Sequence, residues 1–348
     1  VKTVLSQFIF GIKVFFRGLS IKNTTKIAFF MIKRYFLGRP VPFSVVLAVT
    51  YKCQCGCVHC SVADYAREAQ ELTAEEIKKI IDFVDDWGPV KVTFFGGEPL
   101  IRPEIADFVA YASSKGIRTS IDTNGLLADE DMILGLKRAG IGNINVSVDS
   151  PDLDAHDRLR ASAGCFNSAV AALKLCAKHG VACLVSTYAS KTSIADKSLE
   201  RIITLARELG ADGVKILFPI LSGKWRESEA ERLSPEEEAY LIGLMDPSYV
   251  YVEDALEMIT KRGKGCSALD RNLVYISPYG DIQPCPAIPV SFGNLRKKAL
   301  GEIIAYMDNH PFFGKCGSCA MCLMNDPSFR KTFFSRSRGR LPVDVEEL

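Results

Sequence analysis

A chain of 348 residues that is 48% hydrophobic, with a formal net charge of only +2, has enough apolar side chain for a sizeable core, as one large domain with an appendage or as two domains. Its twelve cysteines sit in a chain far longer than the usual secreted disulfide framework, so a reducing, cytoplasmic setting fits better. The charge is uneven: residues 1–63 hold nine Lys or Arg and no acid, and the acidic body that remains speaks against a nucleic-acid partner.

Residues 1–43 read as a basic amphipathic helical arm. Leu5, Phe8, Ile12, Phe15, Phe16 and Leu19 fall on one helical face, with Lys13 and Arg17 a turn apart on another. A second helix over 23–37 carries Phe29, Phe30 and Phe36 beside Lys26, Lys33 and Arg34. Two readings stay open. Residues 1–40 lie on anionic lipid as a peripheral membrane contact, or the arm packs on the body or a partner with its basic residues in water. The longest uncharged stretch in the arm, Thr3 to Ile12, is far short of the ~20 residues that span a bilayer. No secretory signal stands out, because Lys13 and Arg17 interrupt the apolar start.

From 44 to 220 the chain alternates strand and helix. The strands fall at 44–50, 90–96, 118–123, 143–149, 182–188 and 213–219, each a short apolar or β-branched run of the kind buried on both faces. The first helix opens at the capping box Thr73-Ala74-Glu75-Glu76, with Ile77, Ile80, Ile81 and Val84 at helical spacing. Further helices fit 102–115, 128–138, 165–179 and 197–209, several ending near Gly. Short connections between strands imply parallel pairing with right-handed crossovers. The fold class is α/β, a partial (β/α)6 barrel with its chemistry at the carboxyl edge of the strands. Residues 221–265 read as a charged helical bridge, with one helix from Ser234-Pro235. Residues 266–325 form a small α+β unit with a hairpin around Pro278-Tyr279-Gly280-Asp281 and five cysteines. Residues 326–348 look like a loosely ordered basic tail.

Cys53, Cys57 and Cys60 stand as C-x3-C-x2-C just past the first strand. Structural zinc wants four ligands, usually as two separated pairs, whereas three thiolates in eight residues suit iron–sulfur ligation. Three protein ligands leave one iron of a cubane cluster open to a small molecule. The next strands end in Gly96-Gly97-Glu98-Pro99, Asp122-Thr123-Asn124-Gly125 and Asn145-Val146-Ser147-Val148-Asp149-Ser150. Ser147 and Asp149 share strand parity, so their side chains face one way. Cys55 is inside the loop but off the ligand spacing, a bystander. Cys165, Cys176 and Cys183 fall in helix or strand patterns and read as core.

Through residues 44 to about 220 this set resembles the radical S-adenosylmethionine (SAM) superfamily. The resemblance implies that Cys53, Cys57 and Cys60 hold a [4Fe–4S] cluster whose free iron chelates the amino and carboxylate groups of SAM. It places the SAM amino group at Gly96, Gly97 and Glu98, with exposed carbonyls or the Glu98 carboxylate as acceptors. Asn124 joins the cofactor-binding set. Ser147 and Asp149 would meet the ribose, His59 would stand beside the adenine, and Arg160 would pair with the methionine carboxylate. Ala161 replaces the more usual Gly after Arg160, and His156 has no assigned chemistry.

The later cysteines, with Ile276 to Cys285 and Gly293-Asn294-Leu295, resemble the auxiliary-cluster extension called SPASM, or its shorter form, twitch. SPASM domains typically offer seven cysteines, and this region has five. One auxiliary [4Fe–4S] cluster is therefore expected, on Cys266, Cys285 and the Cys316/Cys319 pair, with Cys322 as spare or substitute. Four thiolates also satisfy zinc.

The implied reaction is one-electron cleavage of SAM, fed by a reductase such as flavodoxin or ferredoxin, followed by hydrogen abstraction from an unactivated carbon. The substrate, a small molecule, lipid or peptide, is not specified by these motifs. No appended peptide-recognition domain is visible, which weighs against a peptide-modifying maturase, while the aromatic arm weighs toward something lipid-like. Rivals from other classes are a non-catalytic iron–sulfur electron carrier, which would need no Gly-Gly-Glu-Pro element, and a zinc-stapled structural protein.

Overall fold

The computed structural model describes residues 20–65, 69–246, 248–253, 266–314, 322–337 and 341–348. Strands β1 (Ser44–Thr50), β2 (Lys91–Gly96), β3 (Arg118–Thr123), β4 (Asn143–Ser147), β5 (Cys183–Tyr188) and β6 (Gly213–Leu217) lie side by side in chain order, each parallel to the next. Between them run α2 (Ala74–Trp87), α3 (Ile105–Ser114), α4 (Glu130–Arg138), α5 (Leu153–Arg160), α6 (Cys165–His179) and α7 (Ser198–Glu208); α1 (Ile21–Met31) precedes the barrel. The expected capping box forms at α2, where Glu76 N–H donates to the Thr73 hydroxyl and Thr73 N–H to the Glu76 carboxylate. The α5 helix was not foreseen.

The sheet is longer than six strands. β7 (Val250–Val252) adds in parallel beside β6, and β8 (Leu273–Ile276) in parallel beside β1, followed by the antiparallel β9 (Ile282–Gln283). The stretch expected as a helical bridge thus contributes a strand as well as its capped helix α8 (Pro235–Gly243). The expected hairpin carries the barrel sheet into the C-terminal unit. The tail is not loose. α9 (Leu300–Asn309) and α10 (Pro327–Ser337) follow, with Phe333 of α10 buried in the core. β11 (Val343–Asp344) pairs with β10 (Val290–Ser291).

The strands are apolar on one face only. Val45, Leu47, Val92, Phe94, Ile121, Val146, Val185 and Val214 are buried against Ile77, Ile81, Phe108, Ile133, Leu173 and Ile202 of the helices. The other face is mixed: beside Val46, Ala48, Phe95 and Leu184 it carries polar cross-strand neighbours, Thr93 with Ser120, Asp122 with Asn145, Ser147 with Ser186, and Lys215 with Ser186 and Tyr251. Ser120 donates to Thr93 at 2.9 Å, Asn145 to Asp122, and Lys215 pairs with Glu253 at 3.2 Å. Thr93, Ser120, Asn143 and Asn145 of this second face are buried as well, so the expected burial on both faces holds, while the expected apolar character does not. Helices cover the outside, and this second face lines the inside of the incomplete barrel, its chamber side.

The described part of the arm packs on the body, as one reading has it, but several of its basic residues are engaged there and not left in water. Lys22 donates to Ser114 O, Lys26 pairs with Asp85, Lys33 donates to Asp86 O and Trp87 O, and Arg34 to Val41 O and Asp270 O. Lys26, Lys33 and Arg34 are half-buried by these contacts, while Lys22 and Arg39 stay exposed. Phe30 packs with Val41 and Val90, while Phe29, Tyr35 and Phe36 are left exposed, Phe36 at 82%. The first helix expected in the arm lies outside the described residues.

Candidate active site

The cysteine loop is held mostly by its backbone, from three directions. At its start, Thr50 Oγ1 and Tyr51 N donate to Glu71 Oε1 at 2.9 Å. In its middle, Gly56 N and Val58 N donate to the carbonyls of Arg160 and Leu159 at the end of α5. At its end, Lys224 N donates to Cys60 O, and Lys224 Nζ to Gly56 O at 2.6 Å. Gly223 sits so close that a Cβ there would stand 2.1 Å from Cys60 O. None of Glu71, Gly223 and Lys224 carries a motif of its own, and sequence reading missed all three.

Cys53 is exposed, Cys57 buried and Cys60 half-buried. Cys53 Sγ accepts from Cys55 N at 3.4 Å and Asn124 Nδ2 at 3.8 Å, and Cys57 Sγ from Arg160 at 3.6 Å. The Cys53 and Cys57 thiols are pulled down to about 6 and about 7, first by contact with the Cys55 thiol, with Arg160 adding to both, whereas burial pushes Cys60 up. The thiolate is the form that binds metal. Among the described residues no three Cys, His, Asp or Glu side chains converge as a site for one metal ion. A cubane takes each thiolate on a different iron, so its ligands need not share one centre. Three thiols on one clamped loop, two of them facing donors, fit such a cluster.

The two glycines earn their place through chain packing. A Cβ on Gly96 (φ +147°) would stand 2.0 Å from Thr50 O, and one on Gly97 2.4 Å from Lys52 O. Gly97 N and Glu98 N donate to those same carbonyls at 2.8 and 2.9 Å, so the end of β2 is laced to the start of the cysteine loop. Glu98 corrects an expectation. Its fully buried carboxylate accepts from Leu100 N, Thr123 Oγ1 and Asn124 N at 2.8–3.1 Å, which turns it onto the protein. Burial outweighs these donors and raises it to about 7. It braces Asn124, whose side chain reaches Cys53, and the glycine carbonyls remain as the acceptors for an ammonium group.

Asp149 is likewise turned inward. Its Oδ2 lies 2.6 Å from Arg160 Nε and 3.5 Å from His59 Nε2, and its Oδ1 accepts from Tyr188 N at 3.4 Å. Asp149 and Arg160, expected at the ribose and the methionine carboxylate of SAM, stand against each other. The pair is close but off-axis, so neither Oδ2 nor Nε has a formed hydrogen bond. Burial raises Asp149, Arg160 pulls it down further, and it ends below its usual value. His59 is buried with its ring against Tyr188 (4.6 Å between centroids), and burial lowers it to about 4, so it is neutral near pH 7. His156 accepts from Asp149 N at 3.1 Å, which gives that residue a structural part. Ser147 is half-buried on the chamber face, paired in register with Ser186.

In the C-terminal unit Cys266 and Cys285 are buried and Cys322 half-buried, while Cys316 and Cys319 lie outside the described residues. The units are joined through tyrosines: Tyr51, beside the cysteine loop, shares a 2.7 Å hydrogen bond with Tyr275 of β8, and Tyr65 donates to Pro286 O next to Cys285.

The sequence profile of the radical SAM superfamily matches residues 47–206, and that of an iron–sulfur cluster-binding domain, SPASM, matches 266–323. The chain belongs to the radical SAM superfamily. As a radical SAM enzyme with a C-terminal SPASM domain, it uses a [4Fe–4S] cluster, SAM and an auxiliary cluster. The non-catalytic carrier and the zinc-stapled protein fall away with that. Curated relatives of this radical SAM enzyme include the AdoMet-dependent heme synthase of Methanosarcina barkeri, 28% identical over 80% of this chain and 88% of the relative. That of Oleidesulfovibrio alaskensis is 24% identical over 81% of each. Among solved structures, Streptococcus suis SuiB bound to S-adenosylmethionine superposes with a TM-score of 0.64 at 17% identity, over 84% of this chain and 76% of that one. The enzyme anSMEcpe with bound AdoMet gives 0.62 at 17%, over 83% and 87%. At such identity these structures speak for the fold alone.

Proposed function

We propose that this radical SAM enzyme abstracts hydrogen from an unactivated carbon of a haem precursor held in the chamber of the barrel. The observation that carries this is the reach of the likeness to haem synthases, which spans most of both chains. The chamber supports it. Haem precursors bear carboxylates, and Lys91 stands on the chamber face beside hydrogen-bonding Ser, Thr and Asn side chains. These polar side chains favour such a substrate over the lipid-like one suggested by the arm.

Cys53, Cys57 and Cys60 would hold the cluster. SAM would lie against it, with its ammonium on the glycine carbonyls, its ribose near Ser147 and its adenine near His59. Cluster and SAM together supply a reactive carbon radical when a reductase such as flavodoxin or ferredoxin delivers an electron. The protein's tasks are positional. Glu98 and Asn124 fix the strand end beside Cys53. Arg160 keeps a positive charge next to Cys57, and the aromatic group of His59, Tyr188 and Trp225 keeps water from that side. Cys266, Cys285 and Cys322, with Cys316 and Cys319, would take the auxiliary cluster. Among the described residues no helix is long and apolar enough to cross a membrane. The exposed aromatics of the arm support peripheral contact by insertion, since the neighbouring cations are already engaged.

Anaerobically reconstituted protein, reduced in the presence of SAM, should release 5′-deoxyadenosine, and Cys57→Ala should abolish that release. Carboxylated iron-tetrapyrroles should accelerate it and yield haem. Acceleration by peptides, with none by tetrapyrroles, would replace this substrate assignment while leaving the enzyme class intact.

A further inference from the structure

Two cysteines outside the ligand spacing meet in the fold. Cys55 is half-buried on the loop, between Cys53 and Cys57; Cys165 is fully buried and opens α6. Their sulfurs are 3.9 Å apart. Both are anchored to the same end of α5. Gly56, next to Cys55, donates its N–H to Arg160 O, and the first turn of α6 is held by Asp157, which accepts from Gly164 N at 2.6 Å and Phe166 N at 2.8 Å. A disulfide requires the sulfurs to close from this contact to about 2.05 Å.

We propose that Cys55 and Cys165 are an oxidation site, in which Cys55 takes a hydroperoxide and Cys165 resolves it away from the cluster ligands. The accessible Cys55 thiol is oxidised to a sulfenic acid while the hydroperoxide is reduced to an alcohol or water. The Cys165 thiol then displaces water from that sulfenic acid to form the disulfide. Resolution matters because Cys53 and Cys57 each stand two residues away, and the Cys55 amide already points at the Cys53 sulfur at 3.4 Å. Without Cys165 the sulfenic acid would condense with a ligand thiol and break the ligand set. With it, both ligands are spared. This holds whatever the substrate of the enzyme.

The test exposes anaerobically assembled holoenzyme to hydrogen peroxide, alkylates it under denaturing conditions without reductant, and maps its peptides by mass spectrometry. The expected main crosslink joins Cys55 to Cys165 and is reversed by a thiol reductant. In Cys165→Ser the same treatment should join Cys55 to Cys53 or Cys57, and iron rebound before reduction should fall several-fold below the wild-type value. Cys55→Ser should leave Cys165 alkylatable after peroxide. A wild-type map in which Cys55 is joined mainly to Cys53 or Cys57, or in which Cys165 stays a free thiol while Cys55 is oxidised, overturns the proposal.

Discussion

Arg160 stands between Asp149 and Cys57, with Nε 2.6 Å from the carboxylate of one and a terminal nitrogen 3.6 Å from the sulfur of the other. All three are buried. Removing one partner of such a pair strands a charge in a low dielectric, so Asp149→Asn should lose about 3 kcal/mol of unfolding free energy in urea. A loss within about 0.5 kcal/mol, as for an exposed pair, would mean that water reaches the guanidinium and that the contact does not hold the loop.

Glu98 predicts a pH dependence. Its folded value, about 7, lies above that of an unfolded carboxyl, 4.5, so between these values the unfolded chain has released a proton that the folded chain keeps. Stability from this group is present below pH 4.5 and declines as pH rises toward 7. Urea midpoints of wild type should fall across that window more steeply than those of Glu98→Gln. Parallel curves would show that the burial penalty on Glu98 is not real.

Ala161 closes α5 in the left-handed region, at φ 48°, where a Cβ is strained. Ala161→Gly should therefore stabilise the protein by about 1 kcal/mol, visible as a higher melting temperature. Because the adjoining Arg160 O holds Gly56 N, the same variant should load iron as well as wild type. A lower melting temperature would show that the strain is absorbed elsewhere.

At Gly96 the expectation is the reverse. A methyl group 2.0 Å from Thr50 O cannot be accommodated without moving the first residues of the cysteine loop. Gly96→Ala should lower iron bound per chain on anaerobic reconstitution several-fold, with far-ultraviolet dichroism near that of wild type. Full iron loading would mean that the loop does not depend on this close approach.

For the arm, vesicle co-sedimentation separates the two ways of touching lipid. With Lys22, Lys26, Lys33 and Arg34 engaged on the body, binding should depend on Phe29, Tyr35 and Phe36 and change little with anionic lipid content. Serine at the three aromatics should abolish it. Binding that requires anionic lipid and survives those replacements would restore the electrostatic reading.

What could be read from the sequence was whatever a short window specifies. The strands Ser44–Thr50 and Arg118–Thr123 and the helix Cys165–His179 stand at the expected bounds, and the Thr73 and Ser234 capping boxes form, because period and caps act over a few residues. The spacing of Cys53, Cys57 and Cys60 was likewise local, and it pointed to the family. Tertiary structure decided the rest. Glu71 is 20 residues from the amide it accepts, and Lys224 is 168 from the carbonyl it caps, so no pattern marks either. Glu98, Asp149 and Arg160 were picked out by position, but whether a charged side chain faces a ligand or another residue depends on which partner shares its burial. The direction of the arm's cations followed from the same competition: a lysine turns inward where carbonyls and Asp85 wait for it, and only the folded body shows that they do.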